Sequence, residues 1–142
     1  MSYFLGKKAL APVDFCKFTR WGLETTLEIV GSPQHVHVIH VAAAITDLAP
    51  AATWDMWEEK SVKANVVNQF RQDFPDPAFR GMPFEVRFGD PGQQITRYAK
   101  EIGAELIVLP SHGRTGLSHL LIGSVAERVA RLAHCPVLIL RR

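Results

Sequence analysis

Five short runs rich in apolar residues punctuate the chain, and the stretches between them repeat their apolar residues at helical spacing. The runs are 7–13 (KKALAPV), 35–42 (HVHVIHVA), 83–88, 106–109 (LIVL) and 137–140 (VLIL). Between the first two, 18–30 places Phe18, Gly22, Thr26 and Ile29 on one side of a helix with Leu23, Leu27 and Val30 beside them, and Gly31-Ser32-Pro33 stops it. A second helix is predicted over 54–74, with Asp55, Glu58 and Glu59 early, Val62, Val66 and Phe70 at core spacing, and Pro75 and Pro77 beyond its end. Asp90 before Pro91 is an N-cap followed by a proline at the first helical position, and Ile95, Tyr98, Ala99 and Ile102 form that helix's stripe. Ile122, Val125, Ala126, Val129, Leu132 and Ala133 mark the last helix. Strands of near-continuous hydrophobicity alternating with helices predict an α/β fold, a five-stranded parallel sheet covered by helices on both faces.

A chain of 142 residues is expected to make one domain, 1–142, with almost all of its length used by these elements. Ligands of such sheets sit outside the carboxyl ends of the strands, where the strand order reverses. The loops after strands one, two and four are therefore the ones to inspect. The Ala-, Pro- and Thr-rich loop over 43–53 is long for a compact domain.

Charge and composition narrow the partners. Sixteen basic against fourteen acidic side chains give a formal charge of +2, without the concentrated basic patch of a nucleic-acid binder. No apolar run approaches the roughly 18 residues of a membrane span, and MSYFLGKKAL lacks the features of a signal peptide, so a cytoplasmic protein is expected. Cys16 and Cys135 form no CxxC and are expected to be buried free thiols.

The loop after strand four is the richest in chemistry: Pro110-Ser111-His112-Gly113-Arg114-Thr115-Gly116, running on to Ile122-Gly123-Ser124. Glycines, hydroxyls and one arginine between a strand end and a helix start can converge backbone N–H groups and a helix dipole on an anion. Gly113 and Gly123 would let backbone approach a phosphate, Ser124 would offer a hydroxyl, and Arg114 would neutralise charge. The plain alternative is a turn that only reverses the chain. No Walker loop and no G-x-G-x-x-G follow the first strand. Leu109 replaces the first glycine of a G-x-S-x-G elbow around Ser111, which argues against a serine hydrolase. His35, His37 and His40 have metal-like composition, but His40 falls on the opposite strand face, and surface histidines are the simpler reading.

Over essentially the whole chain these residues resemble the universal stress protein (UspA-like) family. Its nucleotide-binding motif is Gly-x2-Gly-x9-Gly-Ser/Thr, and 110–124 reads Pro110-x2-Gly113-x9-Gly123-Ser124. Pro12-x-Asp14, Val41, Gly89-Asp90-Pro91 and the terminal HCPVLIL are similar as well. The resemblance implies a Rossmann-like fold of the adenine nucleotide alpha-hydrolase type and an adenine nucleotide, ATP with or without Mg2+, at the carboxyl edge. Asp14 and Val41 would contact the base, Pro12 would shape that turn, and Val13 would belong to the nucleotide site. The backbone of Ser111, His112, Gly113 and Arg114, with Gly123 and Ser124, would cradle ribose and phosphates, and Pro110 and Val125 would belong to the same nucleotide site. It also implies a homodimer through the last strand (Val137, Leu138, Ile139, Leu140), an unidentified protein partner, and a sensor or regulatory module in stress response that is not a committed enzyme. For slow ATP hydrolysis the loop offers one group that titrates near neutrality, His112, and no evident general base. One position departs from the motif: Pro110 replaces its first glycine, fixes φ and has no N–H to donate. The alternative reading is thus a nucleotide-free dimeric interaction module of the same fold.

Overall fold

The computed structural model describes residues 3–43, 56–112 and 122–141. Its strands are β1 (Ala9–Pro12), β2 (Val36–Ala42), β3 (Phe84–Phe88), β4 (Leu106–Pro110) and β5 (Val137–Leu140). Its helices are α1 (Thr19–Val30), α2 (Met56–Asp73), the single-turn α3 (Pro77–Arg80), α4 (Pro91–Ile102) and α5 (Ser124–Leu132). The strands form one sheet in the order β3-β2-β1-β4-β5, all parallel, an α/β Rossmann-like arrangement. From β1 the chain winds outward through β2 to β3, then returns to the other side of β1 for β4 and β5. The carboxyl ends of β1 and β4 therefore diverge, opening a crevice at that edge.

Two apolar layers hold the sheet. Because strand side chains alternate, Ala9 and Ala11 of β1 face one way and Leu10 the other. The first layer joins Ala9, Ala11, Val36, Val38, Leu106 and Val108 to Leu23 and Val30 of α1, Phe70 of α2, and Phe79 and Met82. The second joins Leu10, Ile39, Ile107 and Leu109 to Ile95 and Ala99 of α4 and Ala126 and Val129 of α5. Each large apolar side chain buried this way contributes about 1.5–3 kcal/mol.

The start of α4 has the expected cap: the Asp90 carboxylate accepts the Gln93 N–H at 2.9 Å. Two short elements go beyond the sequence reading. A 3-10 turn at Pro33–His35 shortens the predicted second strand by one residue, and α3 begins on the proline read only as a helix stop. Asp76 stands at the N-cap of α3 but makes no side-chain cap; its carboxylate pairs with Arg20 of α1 at 3.0 and 3.3 Å. Most of the loop read over 43–53, together with Trp54, lies outside the described residues.

Candidate functional site

The crevice between the β1 and β4 ends is a cleft of about 290 Å³. On one side β1 delivers Pro12, Val13 and Asp14. The Val13 N–H extends the parallel ladder by one bond, to the Ile39 carbonyl at 2.8 Å, and the chain then turns away. The Asp14 carboxylate closes the turn by accepting the Cys16 N–H at 3.2 Å, an aspartate turn that mimics a backbone one. The Cys16 sulfur in turn accepts the Phe18 N–H at 3.4 Å. Burial, and next the hydrogen bond with Asp14, push the Cys16 thiol above its ordinary value, so the thiol form dominates there. Val41, near the end of β2, lines the same cleft.

On the other side β4 delivers Pro110 and Ser111. Along β4, the N–H groups of Ile107 and Ser111 point to β5, bonding Pro136 at 3.0 Å and Leu140 at 2.8 Å. Alternation directs the Pro110 position towards β1, whose pairing with β4 ends at Leu10 and Ile107. A proline is therefore tolerated in this interior strand, because its missing donor falls where the ladder has already opened. Its ring packs on α1 at Gly22, where an added Cβ would stand 3.7 Å from it.

Gly123 also makes a close backbone contact within the protein. Its N–H donates to the Ser111 carbonyl at 2.6 Å, and a Cβ on it would lie 2.8 Å from that same oxygen. The glycine lets the two stems of the 112–122 loop touch, and its N–H is committed to that contact rather than offered to a phosphate. The next N–H groups, of Ser124, Val125 and Ala126, form the first turn of α5, which the helix itself leaves without acceptors. Those three residues line the cleft. The side chains of Ser111 and His112 are buried and bond each other, Oγ to Nδ1 at 3.0 Å, while Nε2 of His112 is buried with no partner among the described residues.

Ten of the twelve expected nucleotide-site residues line this one cleft; the other two, Gly113 and Arg114, lie outside the described residues. Five lining residues escaped the sequence reading: Ile39, Pro91, Ile95, Leu109 and Ala126. Ile39, Ile95, Leu109 and Ala126 were legible only as core positions, yet they form the cleft's apolar floor as well as the second core layer. Among the described lining residues Asp14 bears the ionic charge.

The three histidines are not plain surface groups. His35, His37 and His40 are all half-buried, and the Nδ1 atoms of His35 and His37 are buried without a partner among the described residues. Burial, then the charges of Lys8 and His35, hold the His37 imidazole below its ordinary value. His40 Nδ1 bonds the Val13 carbonyl at 2.8 Å. Among the described residues no group of three or more His, Cys, Asp or Glu is placed to hold a metal ion. Cys16 and Cys135 are free thiols, but half-buried rather than buried as expected.

The model of the universal stress protein family matches residues 6–141. The chain belongs to the universal stress protein family. A curated member, universal stress protein MJ0531 of Methanocaldococcus jannaschii, is 47% identical over 58 residues, 41% of this chain and 34% of its own. The matched stretch thus spans about a third of that relative's length. Among solved structures, MJ0577 of the same organism superposes with a TM-score of 0.72 at 24% identity, covering 97% of both chains, which shows the shared fold. A universal stress protein in complex with cAMP superposes with a TM-score of 0.57 at 18% identity, covering 96% of this chain and 98% of its own. No described helix of this universal stress protein is long and apolar enough to cross a membrane.

Proposed function

We propose that this universal stress protein binds an adenine nucleotide, ATP in the first instance, in the cleft between β1 and β4, and that it acts as a cytoplasmic, dimeric sensor or regulatory module rather than a catalyst. The observation that carries this reading is the pairing, across one cleft, of an apolar slot with a helix N-terminus. Ile39, Val41, Ile95 and Leu109 suit a flat base, and Asp14 at the rim suits an amino or hydroxyl donor. The first turn of α5, at Ser124–Ala126, points N–H groups and the positive end of the helix dipole where phosphates would lie. Pro110 removes one donor from the family motif, but the α5 donors do not depend on it. That a family member of the same fold is described with cAMP supports the ligand class.

Magnesium would arrive with the phosphates. Asp14 is the sole carboxylate among the described lining residues, too few for an ion held by protein oxygens alone. For hydrolysis, Nδ1 of His112 is bonded to Ser111, which leaves the buried Nε2 as the ring's remaining basic atom, and the binding reading gives it no step. Isothermal titration of nucleotide-stripped protein with ATP, AMP and cAMP tests the reading. Saturable binding is expected, weakened about tenfold by Ser124→Ala or Gly113→Ala. No heat at millimolar nucleotide would leave the nucleotide-free interaction module as the function.

Dimerisation through β5 forms part of the same proposal. The two sheet edges differ: β3 carries Glu85 and Arg87, with Arg87 paired to Glu101 at 2.6 Å, whereas β5 is Val-Leu-Ile-Leu with Leu138 40% exposed. Charged edge strands resist pairing and apolar ones invite it, so β5 is the edge suited to a second copy.

A further inference from the structure

The ladder between β1 and β2 gives out where the candidate cleft begins. Pro12, the last residue of β1, stands opposite Ile39, and the Val13 N–H makes one more bond to the Ile39 carbonyl at 2.8 Å. The next acceptor in line, the Val13 carbonyl, is taken by a side chain: His40 Nδ1 lies 2.8 Å away. A carbonyl can only accept, so Nδ1 carries the hydrogen and His40 donates.

The same imidazole stands edge-on to the Phe15 ring, centroids 5.1 Å apart with the planes at 61°. Phe15 has a φ of 61°, left-handed backbone that a bulky side chain rarely adopts and that persists only where surrounding contacts over-determine it. Asp14 lies between the two residues His40 touches, and its carboxylate ties down the Cys16 N–H beyond them. Position 40 shares a strand face with Val36 and Val38, in the core layer under α1, while its neighbour Val41 lines the cleft. His40 thus sits behind the cleft wall and touches the turn, not the cleft.

We propose that His40 is a positioning residue: from the far face of the sheet it continues the β1–β2 ladder by one side-chain bond and fixes the strained turn 13–16 that presents Val13 and Asp14 to a ligand. Its consequence for affinity rests on the nucleotide reading above; the positioning itself belongs to the ligand-free chain.

Cys16 reports on the turn directly, since its N–H and its sulfur both bond within it. In the full chain carrying Cys135→Ser, the rate of maleimide addition to Cys16 is measured without ligand, alongside ATP affinity and melting temperature. His40→Phe keeps an aromatic ring but loses the donor; His40→Asn sets an amide nitrogen near the place of Nδ1. The Phe variant is expected to react about tenfold faster at Cys16 and to bind ATP about tenfold more weakly, with both effects reversed in His40→Asn. An unchanged Cys16 rate in folded His40→Phe, or equal acceleration in both variants, would overturn the assignment. Should His40→Phe fail to fold, His40→Gln, whose amide reaches the Nε2 place instead, is expected to show the fast rate, and a slow rate there overturns the assignment equally. If the parent protein binds no ATP while the thiol pattern holds, the nucleotide reading falls and the role of His40 stands.

Discussion

A methyl group at position 123 would stand 2.8 Å from the Ser111 carbonyl oxygen, the atom that accepts the Gly123 N–H. Both groups are backbone, so neither yields easily. Gly123→Ala is therefore expected to destabilise the fold by about 1–3 kcal/mol, read as a lower urea midpoint, before any ligand is considered. Fixed spacing singled out Gly123 in the sequence, but it could not reveal the partner, because Ser111 meets it only once the loop has closed. His40 was equally out of reach: strand alternation told its face, and nothing in the residue pattern told that the Val13 carbonyl would be waiting there. His37 supports a pH prediction. Burial lowers the proton affinity of the folded imidazole below the ordinary value of 6.5, so the unfolded chain binds more protons as pH falls. Stability is thus full above about pH 6.5 and declines below it, until the folded imidazole itself protonates. Urea midpoints at about pH 7.5 and about pH 5.5 should show this decline in the parent and a smaller one in His37→Gln.

At the scale of elements, each helix and strand that carries its own period was legible. Apolar-rich runs, continuous in β4 and β5 and alternating in β2 and β3, marked the strands, and Asp90-Pro91 gave the start of α4 in sequence and structure alike. The 3-10 turn Pro33–His35 and α3 were not legible, since three or four residues cannot display a period and both begin on a proline that reads as a stop. The attachment of α2 was only half legible. Val62, Val66 and Phe70 look equivalent in sequence, yet Phe70 is fully buried and the valines are half-exposed. Phe70 meets Phe84 of β3 at 4.6 Å and Phe74 at 5.3 Å between ring centroids. Phe70→Ala is accordingly expected to cost about 3–5 kcal/mol in chemical denaturation, and Val62→Ala far less. Equal losses would mean that α2 is held along its whole length.

Across the whole molecule, parallel topology was predictable because βαβ crossovers leave few alternatives, and it brings the ends of β1, β2 and β4 together with α5. The cleft's floor was less visible, since its apolar residues double as core. Light scattering after size exclusion should give twice 15.8 kDa. Leu138→Glu, which places charge on the exposed β5 side chain, should give a monomer of 15.8 kDa with an unchanged circular dichroism spectrum. The contrast between the two edges also sets how far such association can go. A sheet with two receptive edges is a bifunctional monomer, and bifunctional monomers grow into chains. Here Glu85 and the Arg87–Glu101 pair charge one terminus, so if two copies pair through β5 as proposed, the subunit would have a valence of one and growth would end at the first step.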